Sequence, residues 1–339
     1  MANDVILDVK NLSTSFISEK REIKIIKNVS FQVKKGTCLA IVGESGCGKS
    51  VTVNSAVQLM PRNAKVTADH VIYRSFKSGE MKEYHLDKMK RYGKEMRSLR
   101  GPEIGMVFQD PMASLNPVYK IGYQVAEGLR EHEHLSKKEA MPRVLEMLKK
   151  LGIPAPEQRM KDYPHQMSGG MKQRIIIAIA MICDPELIIA DEPTTALDVT
   201  IQAQIMELMK KLQTDFGKSI ILITHNMGLV VEMADEIIVM YMGRIVEHGT
   251  IEQIFTTPKH PYTDALLKSV PVLGMEEGAV LVTIPGQTPN PSELGDGCEF
   301  ADRCQFCTDR CRQKNIPSFE VEPDHFVRCL KYDSYPEVD

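Results

Sequence analysis

Residues 43–50 read Gly-Glu-Ser-Gly-Cys-Gly-Lys-Ser. They follow the apolar run Cys38–Val42 and precede the helix-compatible stretch Ser50–Met60. A strand that ends in a glycine-rich turn and opens a helix presents backbone N–H groups and a positive helix end to an anion. This stretch therefore predicts a phosphate-binding loop in an α/β fold.

Each residue type in this loop has a chemical reason to be there. Gly43, Gly46 and Gly48 allow the backbone to wrap a phosphate chain, because they have no Cβ. Lys49 reaches the β- and γ-phosphates of a bound nucleotide, and the Ser50 hydroxyl ligates Mg²⁺. The loop therefore indicates a nucleotide site.

A second apolar run, Leu187–Glu192, ends in two carboxylates. A buried strand that delivers acids at its carboxyl end suits a Mg²⁺ site beside a phosphate loop. Asp191 is expected to hold the metal, directly or through water, and Glu192 to polarise the attacking water. The alternative for these two residues is an ordinary solvated turn.

A second anion-binding helix end follows from residues 168–173, Ser-Gly-Gly-Met-Lys-Gln, which precede the apolar helical stretch Arg174–Ile182. Ser168 is a natural N-cap, and the glycines Gly169 and Gly170 expose backbone donors. Two such helix ends are surplus for a site built by one subunit. They fit a nucleotide that lies between two subunits.

Two more strands lead into polar residues. Gln109 follows the strand Ile104–Val107, and His225 follows the run Ile221–Thr224. From about residue 5 to 255 the chain resembles the ATP-binding cassette (ABC) ATPases, with every motif in order. These motifs are the phosphate loop, the Gln109 loop, the Ser168-Gly169-Gly170 signature, Asp191-Glu192, the Ala196-Leu197-Asp198 turn and His225.

The resemblance implies a role for each matching residue. Gln109 contacts Mg²⁺ and the attacking water, and His225 hydrogen-bonds the γ-phosphate and links it to Glu192. Asp198 lies where two subunits touch, and Phe16 stacks on adenine, with an ordinary core ring as the alternative. The other implied nucleotide contacts are Gly43, Ser45, Gly46, Cys47, Gly48, Lys49, Ser50 and Val51. The contacts to the nucleotide of the opposite subunit are Ser168, Gly169, Gly170 and Gln173, and the Mg²⁺ ligands are Ser50, Gln109 and Asp191.

The composition is that of a globular enzyme subunit. The chain has 339 residues, 43% of them hydrophobic and 26% charged, with a net charge of −3, which gives no reason to expect nucleic acid as a partner. No apolar run approaches the ~18 residues that a membrane span needs, and the start has no secretory signal pattern. If a membrane is involved, a partner must supply the spans.

The pattern along the chain divides it into parts. Val5–Val9 and Ser30–Val33 are predicted strands of an antiparallel layer, and Ser219–Thr224 and Glu236–Met240 are predicted core strands. Within Asn63–Arg100, Met81–Met96 suggests a solvated helix or an insertion. Helices are predicted over Ile121–Glu131, Lys137–Leu151 and Ile201–Phe216. The expected fold is an ABC-type P-loop ATPase with a RecA-like core, an antiparallel β layer and a helical subdomain at about 110–165, within a domain of residues 1–255.

After about residue 255 the composition changes, because prolines cluster and five of the eight cysteines lie at or beyond position 298. His260–Thr263 opens a predicted short helix that runs to Val270. This tail, residues 256–339, resembles the C-terminal extension of the oligopeptide/dipeptide permease ATPases, as does the segment 109–117. Nickel importers share the extension. We therefore expect a domain of residues 1–255 followed by a small Cys/Pro-rich lobe.

The cysteines of the tail are Cys298, Cys304, Cys307, Cys311 and Cys329, separated by 5, 2, 3 and 17 residues. Clustered thiols in a cytoplasmic chain are more often metal ligands than disulfides. The spacing is compatible with a 4Fe–4S cluster, with Zn²⁺ or with no metal. In the permease ATPases a similar set carries a 4Fe–4S cluster, which maps onto Cys298, Cys304, Cys311 and Cys329. Cys307 is an additional thiol that could replace a neighbour or stay free.

The resemblance implies an ATPase that uses ATP and Mg²⁺ to power import of dipeptides or oligopeptides. The expected partners are a second ABC ATPase subunit, related but not identical, two integral membrane permease subunits and, indirectly, an extracytoplasmic peptide-binding protein. The expected location is peripheral, on the cytoplasmic face of the cell membrane. The alternatives are an importer of nickel or another small solute and a soluble non-transport ABC ATPase.

Overall fold

The structure, a computed structural model, describes residues 4–18, 21–195, 197–269, 284–313 and 315–338. The chain divides into two compact units. The first unit comprises the residues up to Leu7, Val33–Cys38 and Ile72–Ile223. The second unit comprises Asp8–Gln32, Leu39–Val71 and the residues from Thr224 onward.

The strands of the described residues contribute a large part of the buried core. They are β1 (Val5–Ser18), β2 (Arg21–Lys34), β3 (Cys38–Val42), β4 (Ala64–Thr67), β5 (His70–Ser75), β6 (Lys82–His85), β7 (Ile104–Val107), β8 (Leu187–Asp191), β9 (Ser219–Thr224), β10 (Glu236–Tyr241), β11 (Arg244–Thr250), β12 (Ser318–Glu322), β13 (His325–Val327) and β14 (Glu337–Val338).

The helices alternate with the central strands. They are α1 (Lys49–Ala56), α2 (Lys94–Leu99), α3 (Pro111–Ser114), α4 (Ile121–His132), α5 (Lys137–Lys150), α6 (Pro156–Arg159), α7 (Gly169–Met181), α8 (Val199–Thr214), α9 (Met227–Met233), α10 (Ile251–Thr256), α11 (Pro261–Lys268) and α12 (Asp309–Gln313). Among the described residues, none of these helices has the length and apolar character that crossing a membrane requires.

The first unit contains a parallel sheet in which β8 lies between β7 and β9. Every residue of β8 and β9 is buried, because parallel strands of this kind are covered on both faces, and the middle of each strand is apolar. The register places Met106 opposite Ile189 and Ile189 opposite Ile221. The predicted strand bounds are confirmed here within one residue.

The second unit contains the strand order β14-β12-β13-β11-β10-β3. The fully buried β3 runs parallel to β10, with Ala40 opposite Ile237. The tail joins this sheet, because β13 pairs antiparallel with β11, at Glu247 opposite Val327. The tail therefore extends the sheet that carries the phosphate loop.

A buried carboxylate anchors this junction. Glu247 is 0% exposed and accepts hydrogen bonds from the backbone N–H groups of Lys259 (2.7 Å) and His260 (2.9 Å) and from His325 Nε2 (2.8 Å). A buried charge is tolerated when donors surround it in this way. Glu247 thus ties β13 and the start of α11 to β11.

The helical segment between residues 110 and 165 agrees with its sequence signals. Helices α4 and α5 are close to the predicted Ile121–Glu131 and Lys137–Leu151. A capping box starts α5, in which Ser136 and Glu139 satisfy each other's backbone N–H groups. The predicted helix at His260–Val270 is α11; its expected end, Val270, lies outside the described residues.

The helix suggested over Met81–Met96 is wrong. Residues Lys82–His85 form β6, which pairs antiparallel with β5 and places Tyr84 opposite Tyr73, with ring centroids 6.2 Å apart. A short 3₁₀ turn and the six-residue helix α2 follow. Cross-strand pairing to β5 overrides the helix propensity of the Lys- and Met-rich stretch.

Candidate functional site

The predicted phosphate loop joins β3 to α1 through three glycines with left-handed backbone angles. The φ values are +148° at Gly43, +79° at Gly46 and +103° at Gly48. A Cβ on Gly43 would overlap the Met240 carbonyl oxygen, and one on Gly48 would lie 2.6 Å from Ile26 Cδ1. Backbone atoms therefore exclude a side chain at Gly43, whereas at Gly48 the left-handed φ is the main reason for glycine.

The loop lysine lies over the loop. Lys49 is buried, and its Nζ donates to the carbonyl oxygens of Gly43 (2.8 Å) and Glu44 (3.0 Å). The ammonium is thus held above backbone that belongs to the same loop. This is the placement that an ammonium needs to meet phosphates bound by the loop.

Cys47 is a packed residue of the loop. Its side chain is buried, its backbone N–H donates to Glu44 O (3.3 Å) and its carbonyl accepts from Gly243 (2.8 Å). Burial raises the pKa of the Cys47 thiol. A buried neutral thiol reacts slowly with alkylating reagents, so we expect Cys47 to resist alkylation in the folded protein.

Two contacts to the loop come from residues that the sequence analysis did not identify. The hydroxyl of Tyr262 accepts a hydrogen bond from Glu44 N–H (2.8 Å), and Arg303 pairs with the Glu44 carboxylate. No local signal reveals such partners, because they lie more than 200 positions away in the chain.

The second unit also carries Phe16 and His225. Phe16 lies near the end of β1, opposite Ala64 of β4, and its ring is half-buried. His225 follows β9 and is exposed. Both side chains are accessible to a ligand.

The predicted acids lie in the first unit at the end of β8. Asp191, the last residue of β8, is 7% exposed. Glu192 follows with φ +45°, and its backbone N–H donates to Ile223 O (2.9 Å). A left-handed glutamate is uncommon, and such backbone is often found where a side chain must be aimed.

The carboxylate of Glu192 has two partners in the same unit. Gln109 Nε2 donates to Oε2 at 2.9 Å, and Thr195 Oγ1 donates to the same oxygen at 2.8 Å. The structure therefore brings together Gln109 and Glu192, which are 83 positions apart. Thr195 was not identified from the sequence.

The signature segment forms the start of α7. Ser168 is its N-cap and accepts from Met171 N–H (3.3 Å), as predicted. A Cβ on Gly170 would lie 2.7 Å from Ile201 Cγ2 of α8, so close helix packing requires glycine there. Gln173 is only 1% exposed, and its Nε2 has no hydrogen-bond partner in the described part of the chain. Ser168 and Gly169 are exposed.

Asp198 forms the N-cap of α8 and accepts from Ile201 N–H at 3.0 Å. Its side chain is exposed, which leaves this helix start accessible to another chain. Ala196, the first residue of the predicted Ala196-Leu197-Asp198 turn, lies outside the described residues.

The five cysteines of the tail line one cavity of about 260 Å³, together with Phe300, Phe306 and Ile316. Burial raises the pKa of the Cys298 thiol to about 12, and it raises the pKa values of Cys304, Cys307 and Cys329 as well. Within the described residues, no three His, Cys, Asp or Glu side chains converge closely enough to hold a single metal ion. The thiols thus share a cavity without forming a single-ion site.

Comparisons with known proteins agree with the motif order. The family model described as ABC transporter matches residues 26–195, and the one described as oligopeptide/dipeptide transporter, C-terminal region, matches residues 246–311.

Full-length relatives include a putative peptide import ATP-binding protein of Brucella ovis, 47% identical over 98% of both chains. The oligopeptide transport ATP-binding protein OppD of Bacillus subtilis is 46% identical over 98% of this chain and 91% of its own. Among solved structures, a dimeric post-hydrolysis state of an ATP-binding cassette bound to ADP and Pi has a TM-score of 0.60 and 29% identity, over 72% of this chain and 98% of that chain. These similarities span both the cassette and the tail.

Proposed function

The chain belongs to the ABC transporter family, and we propose that it is the ATP-hydrolysing subunit that powers import of dipeptides or oligopeptides through a membrane permease. The observation that carries this proposal is the match of two family models on one chain, a cassette model over 26–195 and a peptide-transporter model over 246–311. The cassette implies ATP and Mg²⁺. The match of the tail to the peptide-transporter model indicates that ATP hydrolysis by the cassette powers peptide transport.

The phosphate loop binds the nucleotide. Gly43 and residues 45–51 contact the phosphates, and Lys49 moves from its own loop carbonyls to the β- and γ-phosphates. Ser50, Gln109 and Asp191 hold Mg²⁺, and oxygen is the ligand type that this ion prefers. Phe16 stacks on adenine, where a base–ring contact contributes about 1–3 kcal/mol.

Glu192 acts as the general base toward the attacking water. Gln109 and Thr195 both donate to its Oε2, which fixes the direction of the carboxylate. A base held in one orientation needs no reorganisation as it takes the proton. His225 hydrogen-bonds the γ-phosphate.

A second cassette completes each site. Ser168 and Gly169, exposed at the start of α7, contribute backbone donors to the nucleotide bound by the opposite subunit, and Asp198 lies at the contact. Gly170 and Gln173 belong to the same segment. Because Gln173 is buried, it supports the segment from inside.

The tail, residues 256–339, forms a small Cys/Pro-rich lobe, and its thiols would hold a 4Fe–4S cluster. The thiols fit such a group in type and in sharing one apolar cavity, and their spread fits a four-iron cluster better than a single Zn²⁺. Cys298, Cys304, Cys311 and Cys329 would hold it, with Cys307 as a substitute. The cluster would cross-link a segment that has little core of its own.

The remaining partners follow from the same proposal. A related ATPase chain pairs with this one, two integral membrane subunits supply the pore, and an extracytoplasmic binding protein delivers the peptide. The helical segment at about 110–165 meets the membrane subunits on the cytoplasmic face. Domain boundaries at 1–255 and 256–339 separate the cassette from the tail.

Co-purification followed by reconstitution tests the proposal. The chain is isolated with its native complex, incorporated into lipid vesicles with its membrane subunits and binding protein, and supplied with ATP and a labelled peptide. We expect saturable ATP-dependent peptide uptake that unlabelled peptides compete away and Ni²⁺ does not. Nickel uptake without peptide uptake, or a native complex without membrane subunits, would overturn it. Iron and acid-labile sulfide measured on the same sample test the cluster separately.

A further inference from the structure

Glu44, the second residue of the phosphate loop, has all its polar groups engaged. Its N–H donates to Tyr262 Oη (2.8 Å), and its carbonyl oxygen accepts from Lys49 Nζ (3.0 Å). Its carboxylate accepts two hydrogen bonds from Arg303, from Nη1 at 2.7 Å and from Nη2 at 3.0 Å. Main chain and side chain of this residue are therefore held from three directions.

Arg303 is itself firmly placed. Its side chain is 5% exposed, its Nε donates to Pro285 O (2.9 Å) and its Nη1 also reaches Tyr241 Oη (3.2 Å). An aromatic cluster surrounds it, in which the rings of Tyr241 and Tyr262 lie 4.7 Å apart and Phe300 lies 5.3 Å from Tyr241. A bidentate guanidinium–carboxylate pair in such surroundings is strong and directional.

Arg303 also belongs to the cysteine-bearing part of the tail. It ends the 3₁₀ turn Ala301–Arg303, and the next residue is Cys304, which lines the cavity of thiols. The N–H of Cys304 donates to Ala301 O (3.3 Å), so turn and thiol form one piece of backbone. A change in this turn therefore moves the partner of Glu44.

The negative charge of Glu44 is the reason why this contact matters for nucleotide binding. Glu44 is the one acid among residues 43–50, the segment that meets a polyanionic triphosphate. A free carboxylate there would repel phosphate, whereas a paired one presents little net charge. Arg303 supplies that neutralisation from outside the loop.

We propose that Arg303 is a positioning residue for the nucleotide: it holds and neutralises the Glu44 carboxylate, so that the cysteine-bearing turn of the tail sets the affinity of the phosphate loop for ATP. The proposal rests on the nucleotide-binding part of the proposed function and does not depend on what is transported. It gives the tail an effect on ATP binding, which precedes hydrolysis.

A double-mutant cycle in the full-length protein tests this. ATP·Mg²⁺ affinity is measured by calorimetry, and KM and kcat by steady-state hydrolysis, for wild type, Arg303→Ala, Glu44→Gln and the double variant. Arg303→Ala should weaken ATP binding about tenfold and raise KM with little change in kcat, because a hydrogen-bonded charge typically carries at least that factor. Glu44→Gln should bind ATP at least as tightly as wild type.

The double variant is the decisive measurement. If the unpaired carboxylate of Glu44 is what weakens binding, removing it in the Arg303→Ala background should restore most of the affinity. If Arg303 only supports packing, the double variant will bind as weakly as Arg303→Ala, and the proposal fails. Unchanged affinity in Arg303→Ala also overturns it.

Lys268→Ala is the matched control, because Lys268 is an exposed basic residue of the same tail, and its ion pair with Asp264 lies within α11 and does not involve the turn Ala301–Arg303. It should bind ATP like wild type. Should Arg303→Ala fail to fold, Arg303→Lys keeps the test open: lysine loses the bidentate geometry but keeps the charge that neutralises Glu44, so affinity should stay within a few-fold of wild type, and a tenfold loss would contradict the proposal. A wild-type protein that binds no ATP would refute the proposed function itself.

Discussion

The tight turn between β10 and β11 offers a steric test of how the phosphate loop is supported. Met242 and Gly243 form a two-residue hairpin connection with φ of +45° and +79°, which is typical of a type I′ turn. Gly243 N–H donates to Cys47 O of the loop (2.8 Å), and Gly243 O accepts from Lys27 N–H of β2 (3.0 Å). We predict that Gly243→Ala destabilises the protein and weakens ATP binding.

The magnitude follows from two contributions. A left-handed alanine costs about 1–2 kcal/mol. The added Cβ would also overlap the Ile25 carbonyl oxygen and lie 2.8 Å from the Ile25 carbonyl carbon, and no side-chain rotation can move backbone atoms away. Moving residue 243 away from Ile25 would break its hydrogen bonds to Cys47 and Lys27, which contribute about 1 kcal/mol each. The expected loss is about 3–4 kcal/mol.

Gly217→Ala is the matched control for the backbone angle. Gly217 has φ +64°, and a Cβ there would meet nothing within 4 Å. Only the left-handed strain applies, so its cost should stay at about 1–2 kcal/mol. Urea unfolding of both variants separates the cost of the steric overlap from the cost of the left-handed backbone. Calorimetry then measures the ATP affinity of each variant. If Gly243→Ala lies within about 1 kcal/mol of Gly217→Ala and binds ATP normally, the steric reasoning is refuted.

Three further predictions concern single side chains. Glu192→Gln should bind ATP normally but lower steady-state hydrolysis by about 10²–10⁴-fold, the usual contribution of a general base, and near wild-type turnover would remove Glu192 from that role. Cys47, buried with a raised pKa, should stay unmodified by N-ethylmaleimide at neutral pH and react in urea; rapid modification of Cys47 in the native protein, located by peptide mass mapping, would contradict this. Burial, with Arg328 and Lys331 adding to it, lowers the pKa of His260 to about 3. Below about pH 6.5 the unfolded chain therefore binds a proton that the folded chain does not, and stability should fall by about 1.4 kcal/mol per pH unit as acid is added. His260→Asn keeps an acceptor for Tyr262 N–H and should flatten this loss in acid unfolding curves, whereas identical curves would disprove the assignment.

The elements predicted best from sequence are those with a local physical cause. The strand Ile104–Val107 and the strand Ser219–Thr224 have the predicted bounds, because a short apolar run between polar residues has few other ways to be buried. The N-cap at Ser168 was equally predictable from the sequence, since capping is a contact within one helical turn. The helix suggested over Met81–Met96 is wrong because residues Lys82–His85 form a strand, and the pairing partner of that strand, β5, lies outside this stretch of sequence.

The candidate site likewise combines features that have a local cause with features that depend on distant parts of the chain. The glycine spacing of residues 43–50 already determines the loop, because φ near +79° or +103° is a short-range steric matter. The tertiary fold determines which side chains reach that loop. Arg303 meets Glu44 across 259 positions, and Gln109 meets Glu192 across 83. Local sterics act within a few residues, whereas such pairs exist only once packing and strand order have brought distant backbone together.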